Sequence, residues 1–169
     1  MSRQFRLPLI VLVCAASSGC LHQAIPRPED LTANHDHVET FTVPRPFDDV
    51  HAFISSTATK CYAKVFSGGA MPAGKGYVTT ATIRREVDDR VLEPGKLASV
   101  AIVVRGGPWP MGPEDYILRA DVKGLGPSET EVTTYNAGAN RAQRAFHRQV
   151  HRWAAESVED CSGMGPFGD

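Results

Sequence analysis

Between Tyr77 and Tyr135 the chain repeatedly places apolar residues at alternate positions. Asp115 to Lys123 sets Tyr116, Leu118, Ala120 and Val122 on one side, with Arg119 and Asp121 between them. Glu129 to Tyr135 sets Thr130, Val132 and Thr134 against Glu129, Glu131 and Thr133. A period of two sends successive side chains to opposite faces, so both segments read as half-buried antiparallel strands. Tyr77 to Arg84, rich in Thr, Val and Ile, and Lys96 to Arg105, with its continuous apolar run Val100 to Val104, read as two more. Pro94-Gly95 and Gly124-Leu125-Gly126-Pro127 supply turns between strands.

Helical spacing frames this strand-rich middle. Glu39 to Val43 reads as a short first strand, and Pro44 and Pro46 end it. From Pro46 to about Tyr62, Phe47, Val50, Phe53, Ile54, Ala58 and Cys61 recur at steps of three and four. Pro46 and the pair Asp48 and Asp49 suit the start of a helix and its positive end. Near the C-terminus, Asn140 and Gln143 fit a capping box. Ala142, Phe146, Val150, Trp153, Ser157 and Cys161 then form an apolar stripe. Arg141, Arg144, His147, Arg148, His151 and Arg152 fall largely off it and read as a solvated basic face. The order β-α-β-β-β-β-α predicts an α+β, two-layer domain over residues 39–162. Its antiparallel sheet has four to five strands, with one N-terminal and one long C-terminal helix. Residues 163–169 read as a frayed tail. This element order resembles a reduced helix-grip fold and that of small envelope lipoprotein families without known activity.

The first twenty residues carry a different signal. Arg3 and Arg6 precede an apolar run, Leu7 to Ala16, interrupted by Pro8 and followed by Ser17-Ser18-Gly19-Cys20. That layout is an export signal with a small-residue cleavage site. The run is about ten residues long, whereas a membrane-spanning helix needs ~20. Ser17 to Cys20 resembles the lipobox of bacterial lipoproteins, with Gly19 and Cys20 at its two most restrictive positions. Ser17 stands where that family usually has leucine. The resemblance implies a signal peptide at 1–19 and acylation of Cys20, hence a firm membrane tether through more than one acyl chain. Leu21, in place of an aspartate, implies an outer-membrane address facing the periplasm. An ordinary secretory signal cut near Ala16 or Gly19 is the alternative. Residues 20–38, with Pro26, Pro28, Glu29, Asp30, Asn34 and Asp36, read as a flexible tether. His35 and His37 within it read as solvated linker residues rather than a metal site.

Loss of residues 1–19 leaves 150 residues, one domain's worth. Taking Arg3 and Arg6 from 18 basic residues leaves 16 against 19 acidic, a balance of −3, which argues against nucleic-acid binding. Of the four cysteines, Cys14 leaves with the signal and Cys20 takes the lipid. Cys61 and Cys161 remain, and in an oxidising envelope such a pair is expected to form a disulfide.

Motifs for chemistry are sparse. Val65 to Gly76 reads as a loop containing Gly69-Ala70-Met71-Pro72-Ala73-Gly74-Lys75, close to a phosphate-binding loop. Gly76 stands where that motif needs Ser or Thr, and a strand follows where a helix should. His147 and His151 are four apart and could share a metal, but arginines flank them and a solvated face is the simpler reading. No residue set points to catalysis, and no cofactor is implied. Gly106 to Pro113 holds three prolines and three glycines, which exclude regular structure, around Trp109 and Met111. Trp109 either caps the core or, with Met111, anchors a partner as a binding loop. The expected function is a tethered, non-catalytic binding or interaction module for an unidentified envelope protein. The alternative is a carrier of a small apolar ligand in a cavity between the sheet and the C-terminal helix.

Overall fold

The structure is a computed structural model that describes residues 24–73, 77–106, 114–138 and 141–162. Among these, six strands form one sheet: β1 (His37–Val43), β2 (Lys64–Ala73), β3 (Tyr77–Glu93), β4 (Leu97–Arg105), β5 (Glu114–Gly126) and β6 (Glu129–Asn136). Two helices accompany them, α1 (Phe47–Tyr62) and α2 (Arg141–Glu156). The spatial order is β1-β6-β5-β4-β3-β2, and every neighbouring pair is antiparallel. The class is α+β, with one strand more than the largest number expected.

The extra strand is β2, which occupies residues 65–73 of the expected loop at Val65 to Gly76, the last three of which lie outside the described residues. It pairs with β3 from Lys64↔Arg85 to Ala73↔Tyr77, and its register shifts between Ser67 and Ala70. Gly68 and Gly69 occupy that irregularity, where glycine accommodates a bulge. Strand β3 also runs nine residues beyond the expected end at Arg84. Its second half lacks an apolar signature because both faces carry charge. Glu86, Asp88 and Arg90 make ion pairs on one face, while Asp89 meets His51 and Ser55 of α1 on the other.

Both helices cover the same face of the sheet. Phe47, Val50, Ile54, Ala58, Cys61 and Tyr62 of α1 pack with Phe146, Val150, Trp153 and Ala154 of α2. The strands contribute Ala98, Val100, Ile102, Leu118, Ala120, Val122 and Val132 to the same core. Full burial of each large apolar side chain contributes roughly 1.5–3 kcal/mol. Thr130, Val132, Thr134 and Asn136 of β6 are buried, in keeping with the expected alternation. In β5 the alternation breaks: Ile102 pairs with Leu118 but Val103 pairs with Tyr116, so Ile117 is an extra residue. This bulge sends Tyr116 to the face opposite Leu118, contrary to the single-face reading.

The opposite face is covered too. Ile25 and Leu31, 6% and 0% exposed, pack on Ala101, Val103 and Tyr116. They belong to the stretch expected to be a flexible tether. Instead, Pro28–Thr32 forms a short 3₁₀ helix on the sheet, and β1 begins at His37. Leucine and isoleucine spaced along this strap find an apolar surface on β4, which is buried on both sides.

Candidate functional site

Among the described residues, three clusters bring together the side chains of most chemical interest. The first joins the ends of the two helices. Cys61 and Cys161 form a disulfide with Cα atoms 5.3 Å apart across 100 residues of sequence. Cys161 does not end the stripe of α2, because the helix stops at Glu156. Ser157 takes a left-handed backbone conformation, φ 55°, and the following residues leave the helix axis. Trp153 Nε1 donates to the Asp160 carbonyl at 3.0 Å, and Arg152 pairs with the Asp160 carboxylate. Hydrogen bonds from Ser162, with Arg152 beside them, hold the Asp160 carboxyl below its ordinary pKa. Lys60 of α1 pairs with Glu159, and Arg45 donates to the Ala154 carbonyl at 2.7 Å, where the helix needs a donor.

The second cluster surrounds His147, which is 1% exposed and lies against β6 rather than in water. That corrects its assignment to a solvated basic face. Its Nδ1 is 2.5 Å from Thr134 Oγ1 and its Nε2 is 2.9 Å from Asn136 Nδ2. One tautomer fits all partners: Asn136 donates to Nε2, Nδ1–H donates to Thr134, and Thr134 donates to the Glu39 carbonyl at 3.3 Å. Burial pushes the His147 pKa down, with Glu39 opposing and His37 reinforcing that shift. His37 bonds Glu39 at 2.9 Å and packs edge-on against His147, with ring centroids 4.7 Å apart. His151 is exposed and packs on Phe41. With both His147 nitrogens engaged, the imidazole serves as a pin between α2 and β6. Among the described residues no three His, Cys, Asp or Glu side chains gather as a metal-ligand set.

The third cluster lies under the N-terminal strap. Ile25 N–H donates to Asp115 Oδ1 at 2.9 Å, and Tyr116 N–H donates to the Ile25 carbonyl at 2.9 Å. Arg119, 7% exposed, donates to the Pro28 carbonyl and to Asp121, each at 2.7 Å. Tyr116 OH donates to Asp88 at 2.8 Å, and Arg90 bridges Asp88 to Glu29 of the strap. Burial and the Asp88 acceptor push the Tyr116 hydroxyl up to about 12. Against the cost of burial, the bonds from Arg90 and Tyr116 hold the Asp88 carboxyl below its ordinary value. The network stitches the strap to β3 and β5.

Of the residues singled out from sequence, Cys61 and Cys161 meet. Cys20 lies outside the described residues, as do Trp109 and Met111. His35 bonds the Thr32 carbonyl and packs against Tyr135, so it belongs to the folded strap. Gly69 to Ala73 of the phosphate-loop-like stretch lie in β2, and Gly74 and Lys75 fall outside the described residues. Sequence reasoning missed the strap and His147. Each had a signal: the unbroken Val100–Val104 run marks a strand covered on both faces, and His147 sits three residues before Val150 and seven before Ala154, on the buried stripe.

No protein-family model matches the chain, and no curated protein matches it. Solved structures similar to it include a conserved protein from Geobacillus kaustophilus, at 12% identity, 69% of this chain, 85% of that chain and TM-score 0.32. Another is Ara h 8.0201, at 14% identity, 73% of this chain, 93% of that chain and TM-score 0.34. A third is the di-domain ARO/CYC BexL from the BE-7585A biosynthetic pathway, at 18% identity, 73% of this chain, 48% of that chain and TM-score 0.24. Likeness at this level bears on no functional question.

Proposed function

We propose that the chain is a bacterial envelope lipoprotein, anchored through acylated Cys20 at the outer membrane and facing the periplasm. Its domain serves as a non-catalytic binding or interaction module for another envelope protein. The observation that carries this reading is the Cys61–Cys161 disulfide, which places the two cysteines left after signal removal in bonding contact. Such a bond persists in an oxidising compartment, the same destination that the export signal and lipobox specify. The element order, the all-antiparallel sheet and a C-terminal helix laid across it support a reduced helix-grip fold.

The packing favours an interaction module over a ligand carrier. Trp153, Phe146 and Val150 fill the described contact between α2 and the sheet, and His147 is satisfied by structural partners. Cell fractionation of Cys20→Ala tests the anchor: the variant should move from the membrane to the soluble fraction and lose acyl labelling. Membrane retention of that variant would refute it. Native mass spectrometry of protein purified from its host tests the module. An empty domain agrees with it, and co-purifying lipid-like material would favour the carrier.

A further inference from the structure

Among the described residues the sheet has two edges, β1 and β2. An edge strand presents unpaired N–H and C=O groups to any strand that can reach them, and folds blunt such edges with bulges, proline and lysine. Strand β2 carries all three: its register shifts between Ser67 and Ala70, Pro72 has no N–H to give, and Lys64 begins it. Strand β1 carries none. It follows β6 from His37↔Asn136 to Val43↔Thr130 without a shift. Its sequence, His37-Val38-Glu39-Thr40-Phe41-Thr42-Val43, holds no proline, lysine or arginine, and all but Phe41 and Val43 are exposed.

We infer that β1 pairs with β1 of a second copy of this chain, antiparallel and centred on Thr40, joining two six-stranded sheets at their edges. The strand is complementary to itself in that register. On the face turned away from the helices, where Thr40 bonds Thr133, Val38 lies opposite the partner's Thr42 and Thr40 opposite the partner's Thr40. These are β-branched pairs, which suit a pleated surface. On the helix face, Glu39 lies opposite the partner's Phe41 and His37 opposite the partner's Val43. No like charges meet, whereas a parallel in-register pairing would set Glu39 against the partner's Glu39. Phe41 packs on the exposed His151 of α2, so the partner's Glu39 arrives beside that imidazole. Helix α2 accompanies β1, with His147 against His37 and His151 against Phe41, so the pairing brings the two α2 helices to the same side of the joined sheet and adds their flanks to the strand contact. The two-fold axis stands normal to the sheet. Both N-terminal straps therefore stay on the opposite face, and both chains can be anchored in one bilayer.

The test places single cysteines in the full-length protein in its host's envelope and reads dimers by non-reducing electrophoresis. Residues opposite each other in an antiparallel pair have Cα atoms about 4.5–5.5 Å apart, within reach of a disulfide. Thr40→Cys should therefore run largely as a covalent dimer. Thr42→Cys alone should not, because its opposite is the partner's Val38, but co-expressed Val38→Cys and Thr42→Cys chains should crosslink to each other. Sedimentation of the purified protein supplies a second reading. The parent should be a dimer at micromolar concentrations, and Thr40→Lys, which sets two ammonium groups against each other on the axis, should be a folded monomer by the same measurement and circular dichroism. A monomeric parent, equal crosslinking from positions 40 and 42, or a dimer that survives Thr40→Lys would overturn the pairing. A Thr40→Cys crosslink to a different envelope protein in place of the homodimer would overturn it as well and give the edge to that protein. Both readings stand whether or not Cys20 is acylated, so they fail independently of the lipid anchor.

Discussion

Ile25 and Asp115, ninety residues apart, are joined by a hydrogen bond of 2.9 Å from the Ile25 backbone N–H to the Asp115 carboxylate. Both residues are buried, at 6% and 2% exposure, so the bond is shielded from competing water. It fixes the N-terminal strap on the sheet face that the helices leave uncovered. The strap is thus part of the domain, and the domain begins only a few residues after the proposed lipid.

The strap should therefore contribute to stability. Leu31 is fully buried against the strand residues Ala101 and Val103. Replacing it with alanine should cost about 2–5 kcal/mol, as for other core leucines. Urea denaturation of Leu31→Ala against the parent measures this. A change within a few tenths of a kcal/mol would return the segment to the role of a loose tether.

The disulfide makes a second prediction. Closing a loop of 100 residues is worth up to ~4.7 kcal/mol in the chain-entropy account. The double variant Cys61→Ala, Cys161→Ala should lower the unfolding free energy by an amount of this order, less any residual order in the unfolded chain. Equal denaturation midpoints with and without the bond would contradict it.

His147 makes the stability depend on pH. Its folded pKa lies below the ordinary value of about 6.5. In the interval between the two values the unfolded chain binds a proton that the folded chain does not, so stability rises with pH there. The contribution is present above about pH 6.5 and is lost as pH falls towards the depressed folded value. Unfolding free energies measured from pH 7.5 downwards should fall below about 6.5 in the parent. His147→Gln removes the titrating ring and should flatten that slope, whatever its own stability. An unchanged slope would exclude His147 as its source.

Much of this architecture was legible in the sequence, for identifiable reasons. Strand β6 and helix α1 each bury one face against water on the other, so a clean period of two or 3.6 survives in their residues. The Cys61–Cys161 pairing followed from counting cysteines under the expected export signal. Strand β2 was hidden because Gly68 and Gly69, which accommodate its bulge, also mark loops. The second half of β3 was hidden because Asp88 and Arg90 answer to charged partners on one face and Asp89 to the polar His51 and Ser55 on the other, which breaks the hydrophobic period. Tyr116 changed faces through a one-residue bulge that alternation cannot foresee. His147 was hidden by its charged neighbours, Arg144 and Arg148, although its spacing to Val150 and Ala154 places it on the buried stripe.

Intact mass analysis of the mature protein, extracted from its host's envelope without reductant, tests the central claim most directly. The account predicts a chain that begins at Cys20, carries acyl chains on that residue, and yields a single Cys61–Cys161 crosslinked peptide on digestion. A chain that begins elsewhere or carries an unmodified Cys20, with Cys61 and Cys161 as free thiols, would contradict it.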